Sequence, residues 1–395
     1  MPQGRRSWLS FLFGSTDDTA PVGASRAPVP RQGERSSRQP TAATQPPGRT
    51  ARPKRHRLPP PPAAQKRGPR RSPQRIAAAP ARTRITRAGL VGVNSWAYQL
   101  QDIRIAEIAQ CEADLAVIDY SPDGSAELAF TRDQVERMQG LDGGHRKRVF
   151  AYMSIGEAEE RRFYWKDAWV KNGRPTGTAP GWLSARNDQG WNDNYKVRFW
   201  DPAWQSLIVG GSGSYLDRII DAGFDGVYLD IVDGFEFWQD AARGRDIRKE
   251  AATDMVDFVA RIAEHAWNAR GKSQFAIVPQ NGEALLEHDR FRASISAVGK
   301  EDILFRMAGA ADKRPALEER PEAEIRETLA YLRLAQDDGL PILAVEYMMD
   351  REQDIVNVAQ AGKLLRQLRM VPYFGIRDLN RLQPVSKPAV APVTS

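Results

Sequence analysis

From residue 89 to residue 382 the chain alternates short, almost unbroken apolar runs with longer amphipathic or polar stretches. Eight runs read as strands: Leu90–Trp96, Asp114–Tyr120, Arg148–Ser154, Asp225–Ile231, Phe275–Pro279, Ser294–Val298, Pro341–Tyr347 and Val371–Ile376. Val, Ile, Leu, Ala, Tyr and Phe dominate them with little alternation, the pattern of parallel strands covered on both faces. The stretches between them read as helices. Ala252–Ala269 places Met255, Val256, Phe258, Val259, Ile262, Ala263 and Ala266 at three- and four-residue spacing, and Ile325–Ala335 and Ile355–Leu368 repeat the pattern. Gly223 precedes the fourth run and Gly339-Leu340-Pro341 opens the seventh, as helix stops and turns do.

Eight βα units over roughly 290 residues predict an α/β fold, a single (β/α)8 TIM barrel. An open doubly wound sheet would instead carry a glycine-rich phosphate-binding turn after its first strand, and none follows Trp96. One connection is out of proportion: about 70 residues separate Ser154 from Asp225, and long barrel loops tend to carry function. That stretch holds Trp165, Trp169, Trp182, Trp191, Trp200 and Trp204, six of the ten tryptophans. Such rings either pack the insertion against itself or offer flat faces on which sugar rings stack.

Charge divides the chain. Residues 1–88 carry 19 Lys and Arg against 3 Asp and Glu, a charge of +16; the whole chain is +7, so the remainder carries −9. The basic segment is rich in proline, with the run Leu58-Pro-Pro-Pro-Pro62, and poor in apolar residues after Phe13. It buries too little apolar surface to offset its ordering entropy. It therefore reads as a disordered tail before a barrel over 89–382, with 383–395 a flexible C-terminal end. Its Arg-rich stretches suit contact with anionic surfaces. The acidic body excludes a specific nucleic-acid-binding domain. The extreme N-terminus, Arg5–Phe13 (RRSWLSFLF), sets a twin arginine before a short apolar run, which points to a secreted or cell-envelope protein or to a membrane-touching end. No apolar run is long enough to span a bilayer. A single cysteine, Cys111, excludes an intrachain disulfide framework and a thiolate-rich metal site.

Catalytic groups of a (β/α)8 barrel sit where strands end, and here those positions are acidic. The strand ends carry Asp119-Tyr120, Glu157 and Glu159, Asp230 and Asp233, Gln280-Asn281-Gly282-Glu283, Lys300-Glu301-Asp302, Glu346-Tyr347 and Arg377-Asp378. Each acid alone reads as a helix cap or surface charge, the role expected of Asp302 and Asp378. Their convergence on one face suits two chemistries. In glycoside hydrolysis one carboxyl protonates the leaving oxygen while another attacks or activates water. In metal-dependent hydrolysis or lysis, oxygen ligands hold Mg²⁺ or Ca²⁺. A non-catalytic glycan-binding barrel is the third reading. His56, His145, His265 and His288 are scattered away from the strand ends, which disfavours zinc. Esterase and kinase readings lack a Ser–His–acid arrangement and a phosphate-cradling loop. No cofactor is expected.

Four segments, Tyr152–Glu159 (YMSIGEAE), Val197–Gln205 (VRFWDPAWQ), Gly223–Asp233 (GFDGVYLDIVD) and Pro279–Glu283 (PQNGE), stand in order along 89–382. Together they resemble the family 114 glycoside hydrolases, most closely the bacterial branch of uncharacterised extracellular-type barrels. The resemblance implies an endo-acting hydrolase of α-1,4-linked galactosamine polymers, with a catalytic Asp ending strand four and a Glu ending strand six. These fall on Asp230 and Glu301, with Lys300-Glu301 standing where characterised members have Asn-Glu, and with Glu283 and Glu157 as rivals for the second position. Glu157, Asp233, Gln280, Asn281, Glu283 and Glu346 are then expected to hold sugar hydroxyls or amines, or to tune the pair. Trp96, Tyr120, Tyr152 and Tyr347 are expected to wall the cleft. The partner is a polysaccharide, and a polymer with free amines is cationic, so an acidic body would attract it.

Overall fold

The computed structural model describes residues 90, 92–140, 146–187, 191–211, 213–240, 247–308, 316–350 and 352–385. All belong to one compact unit, Arg84–Ser395. The readings of 1–88 as a disordered tail and of 386–395 within the C-terminal end lie outside the described residues. Among the described residues no helix is long and apolar enough to cross a membrane.

Eight parallel strands form the barrel: β1 Trp96–Gln99, β2 Leu115–Ile118, β3 Arg148–Ser154, β4 Gly226–Asp230, β5 Ala276–Pro279, β6 Val298–Glu301, β7 Ile342–Glu346 and β8 Met370–Phe374. They hydrogen-bond as two arcs, β1 to β5 and β6 to β8. A single bridge, Gln280 to Gly299, joins the arcs, reinforced by Ser296 N–H to Ile277 O at 2.8 Å and Asn281 N–H to Gly299 O at 2.9 Å. No β8–β1 ladder is seen among the described residues. That seam is filled by side chains, with Trp96 Nε1 donating to Val371 O at 2.9 Å.

The sequence pattern survives with two shifts. The first strand begins where the predicted run ends, because Leu90 and Val93 bury their side chains in the core ahead of it. The sixth lies about four residues later than its apolar run, and it keeps the polar Lys300 and Glu301 as its last two residues. Between strands, Ala251–Glu264 is helical and continues into a π-helix, His265–Ala269. Glu322–Asp337 and Val358–Gln367 are the other two predicted helices.

Alternate strand residues point inward, so each strand gives the interior a residue every second position. Trp96 and Tyr98, Leu115 and Val117, Phe150, Tyr228, Ala276 and Val278, Ala297, Leu343 and Val345, and Tyr373 fill it as one cluster. Its centre is aromatic. Tyr98 and Tyr228 have ring centres 5.2 Å apart and Trp96 and Tyr373 5.6 Å, geometry that adds roughly 0.5–1.5 kcal/mol per pair beyond the area buried. Continuing the same alternation by one step, Tyr228 leads to Asp230, Val278 to Gln280, Gly299 to Glu301 and Val345 to Tyr347. The site is the interior row extended to the barrel's mouth.

The long insertion after β3 carries secondary structure of its own. An antiparallel sheet of Glu157–Glu159, Asn194–Val197 and Leu183–Arg186 is followed by helices Pro202–Ile208 and Tyr215–Asp221. Asp201 caps the first of these by accepting from Ala203 N at 2.8 Å, with Pro202 in its first turn, a common helix start. The tryptophans mostly pack the insertion to itself. Trp165, Trp169, Trp182 and Trp204 run ring to ring at 4.8–5.6 Å, and Trp200 packs on Trp238. Trp191 is 53% exposed.

Candidate active site

Asp230 ends β4 and Glu301 ends β6. The Asp230 carboxylate accepts Tyr152 Oη at 2.6 Å and Gln280 Nε2 at 3.0 Å. Tyr98 Oη in turn donates to Gln280 Oε1 at 3.2 Å. The amide is therefore fixed with its N–H₂ toward Asp230. Glu301 is gripped as firmly. Asn281 Nδ2 donates to its Oε2 at 3.0 Å, Tyr347 Oη donates to its Oε1, and Asn281 Oδ1 accepts the Glu301 backbone N–H at 3.2 Å.

The backbone turns sharply behind each of these groups. Ile231 and Asp302, each directly after its strand, and Asn281, two residues after β5, have φ of 54°, 51° and 57°. For a β-branched residue such as Ile231 this costs on the order of 1–3 kcal/mol and persists only where neighbours enforce it. Gly156 supplies the room: a Cβ there would stand 2.2 Å from Ile231 O. Ile155 N–H to Asp230 O at 3.1 Å and Gly234 N–H to Ile231 O at 3.1 Å pin the turn on both sides.

Burial, then the nearby charge of Glu301, lifts the Asp230 pKa to about 8, against the pull of the Tyr152 hydrogen bond. Asp233, in the turn beyond, rises to about 7 through burial and then Glu236. Glu236 is itself raised by burial and by Glu283. Lys300 tempers this side of the mouth, with Nζ 3.2 Å from Asn281 Oδ1 and 3.3 Å from Glu283 Oε1. Asp230 therefore keeps its proton at neutral pH.

Several expected contacts fall elsewhere. Trp96 is wholly buried in the barrel interior and walls no cleft. Tyr120 is also buried, its hydroxyl bonded to Gly124 O at 3.0 Å and its ring packed on Tyr215. Tyr152 and Tyr347, 5% and 3% exposed, act on the carboxylates rather than as open walls. Glu157 is fully buried, bonded to Asn187 at 2.8 Å, Asn194 at 3.3 Å and Lys196 at 2.6 Å, so it anchors the insertion's sheet and is no rival to Glu301. Glu346 faces away from the mouth and accepts the backbone N–H groups of Ile303, Leu304 and Phe305 at 3.0, 2.8 and 3.2 Å. Its carboxyl belongs to the loop behind Glu301, and burial lifts its pKa to about 8 against the pull of those backbone N–H groups. Gln280 and Asn281 orient the pair, and Asp233 and Glu283 remain beside it.

The ring of acids is thus smaller than the strand ends suggest. Asp119 and Glu159 are consumed by buried Arg162 at 2.8 and 2.5 Å, and Asp302 pairs with Arg377 at 2.9 Å. Among the described residues no three His, Cys, Asp or Glu side chains converge as metal ligands. Tyr98 and Glu236 were not singled out by sequence. Tyr98 was legible in principle, because extending the first strand by one alternation beyond Trp96 places it inward.

Residues 74–386 match the family model for glycoside-hydrolase family GH114. The chain is 38% identical over 289 residues to an uncharacterised protein of Methanocaldococcus jannaschii, covering 72% of this chain and 75% of that one. It is 35% identical over 291 residues to an uncharacterised protein of Thermotoga maritima, covering 72% and 81%. Among solved structures, the glycoside hydrolase domain of PelA from Pseudomonas aeruginosa superposes with a TM-score of 0.52 at 21% identity, over 73% of this chain and 97% of that domain. That likeness is one of fold.

Proposed function

Since the chain belongs to glycoside-hydrolase family GH114, we propose that it cleaves an amino-sugar polysaccharide, of the α-1,4-galactosamine type, by a mechanism shared between Asp230 and Glu301. The observation that carries this reading is the pair of oriented carboxyls. Each carboxylate ends an interior row at the mouth, each takes one tyrosine hydroxyl and one side-chain amide, and the Asp230 pKa of about 8 keeps one proton available at neutral pH. Glycosidic cleavage needs this division, one protonated carboxyl for the leaving oxygen and one ionised carboxyl for attack or for activating water.

The substrate class is supported by charge. The body carries −9, and Asp233, Glu236 and Glu283 stand beside the pair with Lys300 as the neighbouring cation. A polymer bearing ammonium groups is drawn to such a mouth, and its amines find carboxylates there. The test is release of oligosaccharides from partly deacetylated galactosaminogalactan. Wild-type protein releasing them, with Asp230→Asn and Glu301→Gln both inactive and folded, supports the reading. Hydrolysis that survives both substitutions refutes the pair, and hydrolysis confined to fully acetylated or neutral glycans refutes the substrate class.

A further inference from the structure

Each carboxylate of the pair is held by a tyrosine, and each tyrosine lies beneath an arginine that is itself tied to an aspartate. On the Asp230 side, Arg162 makes two bonds of 2.8 Å to Asp119, and its guanidinium stands 5.8 Å from the ring centre of Tyr152, the donor to Asp230. On the Glu301 side, Arg377 bonds Asp302 at 2.9 Å and stands 4.5 Å over the ring of Tyr347, the donor to Glu301. The same four-part arrangement therefore occurs twice, from different strands. Arg162 is fully buried, whereas the Arg377 side chain is 41% exposed.

Arg377 touches Glu301's surroundings at two points. Asp302 is the next residue along the chain, held at φ 51°, and Tyr347 bonds the Glu301 side chain directly. A cation over a phenol face draws density from the ring and strengthens its O–H as a donor. The ion pair to Asp302 also braces the turn that aims Glu301.

We propose that Arg377 is a positioning residue for Glu301, acting through Tyr347 and Asp302 rather than by touching the sugar. This rests on the reading of Glu301 as one half of the catalytic pair. Arg377→Met leaves Asp302 with its side chain still 25% exposed to water, whereas a change at Arg162 would strand Asp119 and Glu159 at 3% and 1% exposed.

The test is a double-mutant cycle of Arg377→Met and Tyr347→Phe, with thermal stability measured alongside. Arg377→Met is expected to lower kcat about tenfold with KM within about twofold. In the Tyr347→Phe background it should cost clearly less than in wild type, since the phenol route is gone and only the brace on Asp302 remains. The limb of the pH–rate profile set by the carboxyl pair should move to higher pH, because a nearby positive charge has been removed. Raised KM with kcat unchanged, or additive losses in the double variant, would overturn the proposal by making Arg377 a substrate contact or an independent group.

A second measurement does not depend on turnover. With tyrosine labelled by ¹³C at the hydroxyl-bearing carbon, the Tyr347 resonance is identified by its loss in Tyr347→Phe. Arg377→Met should shift that resonance and raise the pH at which it follows the carboxyl titration; an unmoved resonance overturns the proposal. Wild-type protein that hydrolyses no amino-sugar polymer, together with a resonance that responds, would refute the proposed function and leave the positioning role standing.

Discussion

Gly299 lies where the hydroxyl of Tyr228 leaves no space for a β-carbon: a Cβ at position 299 would stand 2.2 Å from the phenol oxygen. Both residues face the interior two positions below the pair, Tyr228 under Asp230 and Gly299 under Glu301. Tyr228 is fully buried, so it cannot retreat. Gly299→Ala should therefore push β6 outward and cost about 1–3 kcal/mol as overpacking does. Urea unfolding would measure the loss, and activity should fall with it. An alanine variant as stable as wild type would show that the ring moves freely.

Asp230 links function to stability with a sign that can be checked. Its folded pKa of about 8 stands above the roughly 3.9 of an unfolded aspartate. The folded state therefore binds the proton more tightly, and the stability this contributes is present below about pH 4 and lost as pH rises through about 8. Asp230→Asn removes that loss. The variant should match wild type near pH 4 and melt higher than wild type at pH 8.5, while its kcat falls by about 10²–10⁴. Melting curves at the two pH values decide it, and a constant difference between the proteins would contradict the raised pKa.

Activity should share the upper limit. A mechanism needing one proton on the pair declines as pH rises past about 8, where Asp230 gives up its proton. A rate that keeps climbing to pH 10 would exclude Asp230 as a site of that proton.

Glu346→Gln should damage the loop behind Glu301 without weakening substrate binding. The amide N–H₂ would meet the donor of Phe305 where an oxygen now accepts it, at a cost of roughly 1–3 kcal/mol. The expected pattern is a lower melting temperature and lower kcat with KM held. A rise in KM alone would return Glu346 to the substrate-contact role first expected of it.

Trp191 is the insertion's exposed tryptophan, and Trp191→Ala should leave the melting temperature unchanged. If the insertion extends the sugar-binding surface, KM for long polymers should rise by about 2- to 13-fold, from a stacking loss of about 0.5–1.5 kcal/mol, with short oligosaccharides unaffected. Equal effects on long and short substrates would place the ring elsewhere.

The barrel was legible because parallel strands buried on both faces leave unbroken apolar runs, and β3 was read to the residue. β6 was misplaced because its working end is polar: Lys300 and Glu301 belong to the strand, yet polarity marked them as loop. The acidic strand ends were also legible, but not which acids remain unpaired. That depended on Arg162 and Arg377, whose distances from Asp119 and Asp302 along the chain carry no signal of contact. Glu346 shows the same limit. Strand alternation turns it outward and Tyr347 inward, so adjacent residues serve Glu301 from opposite faces of one strand.

The left-handed residues after β4, β5 and β6 have a consequence for how a sugar chain is handled. A mouth whose edges are set by backbone bends holds its carboxyls in place before a ligand arrives. Under the proposed function, contact energy from distant sugar units would then go into flattening the ring at the scissile bond instead of into ordering the protein. The same preorganisation suits Asp230→Asn and Glu301→Gln proteins to capturing an intact polymer at the barrel's mouth for crystallography.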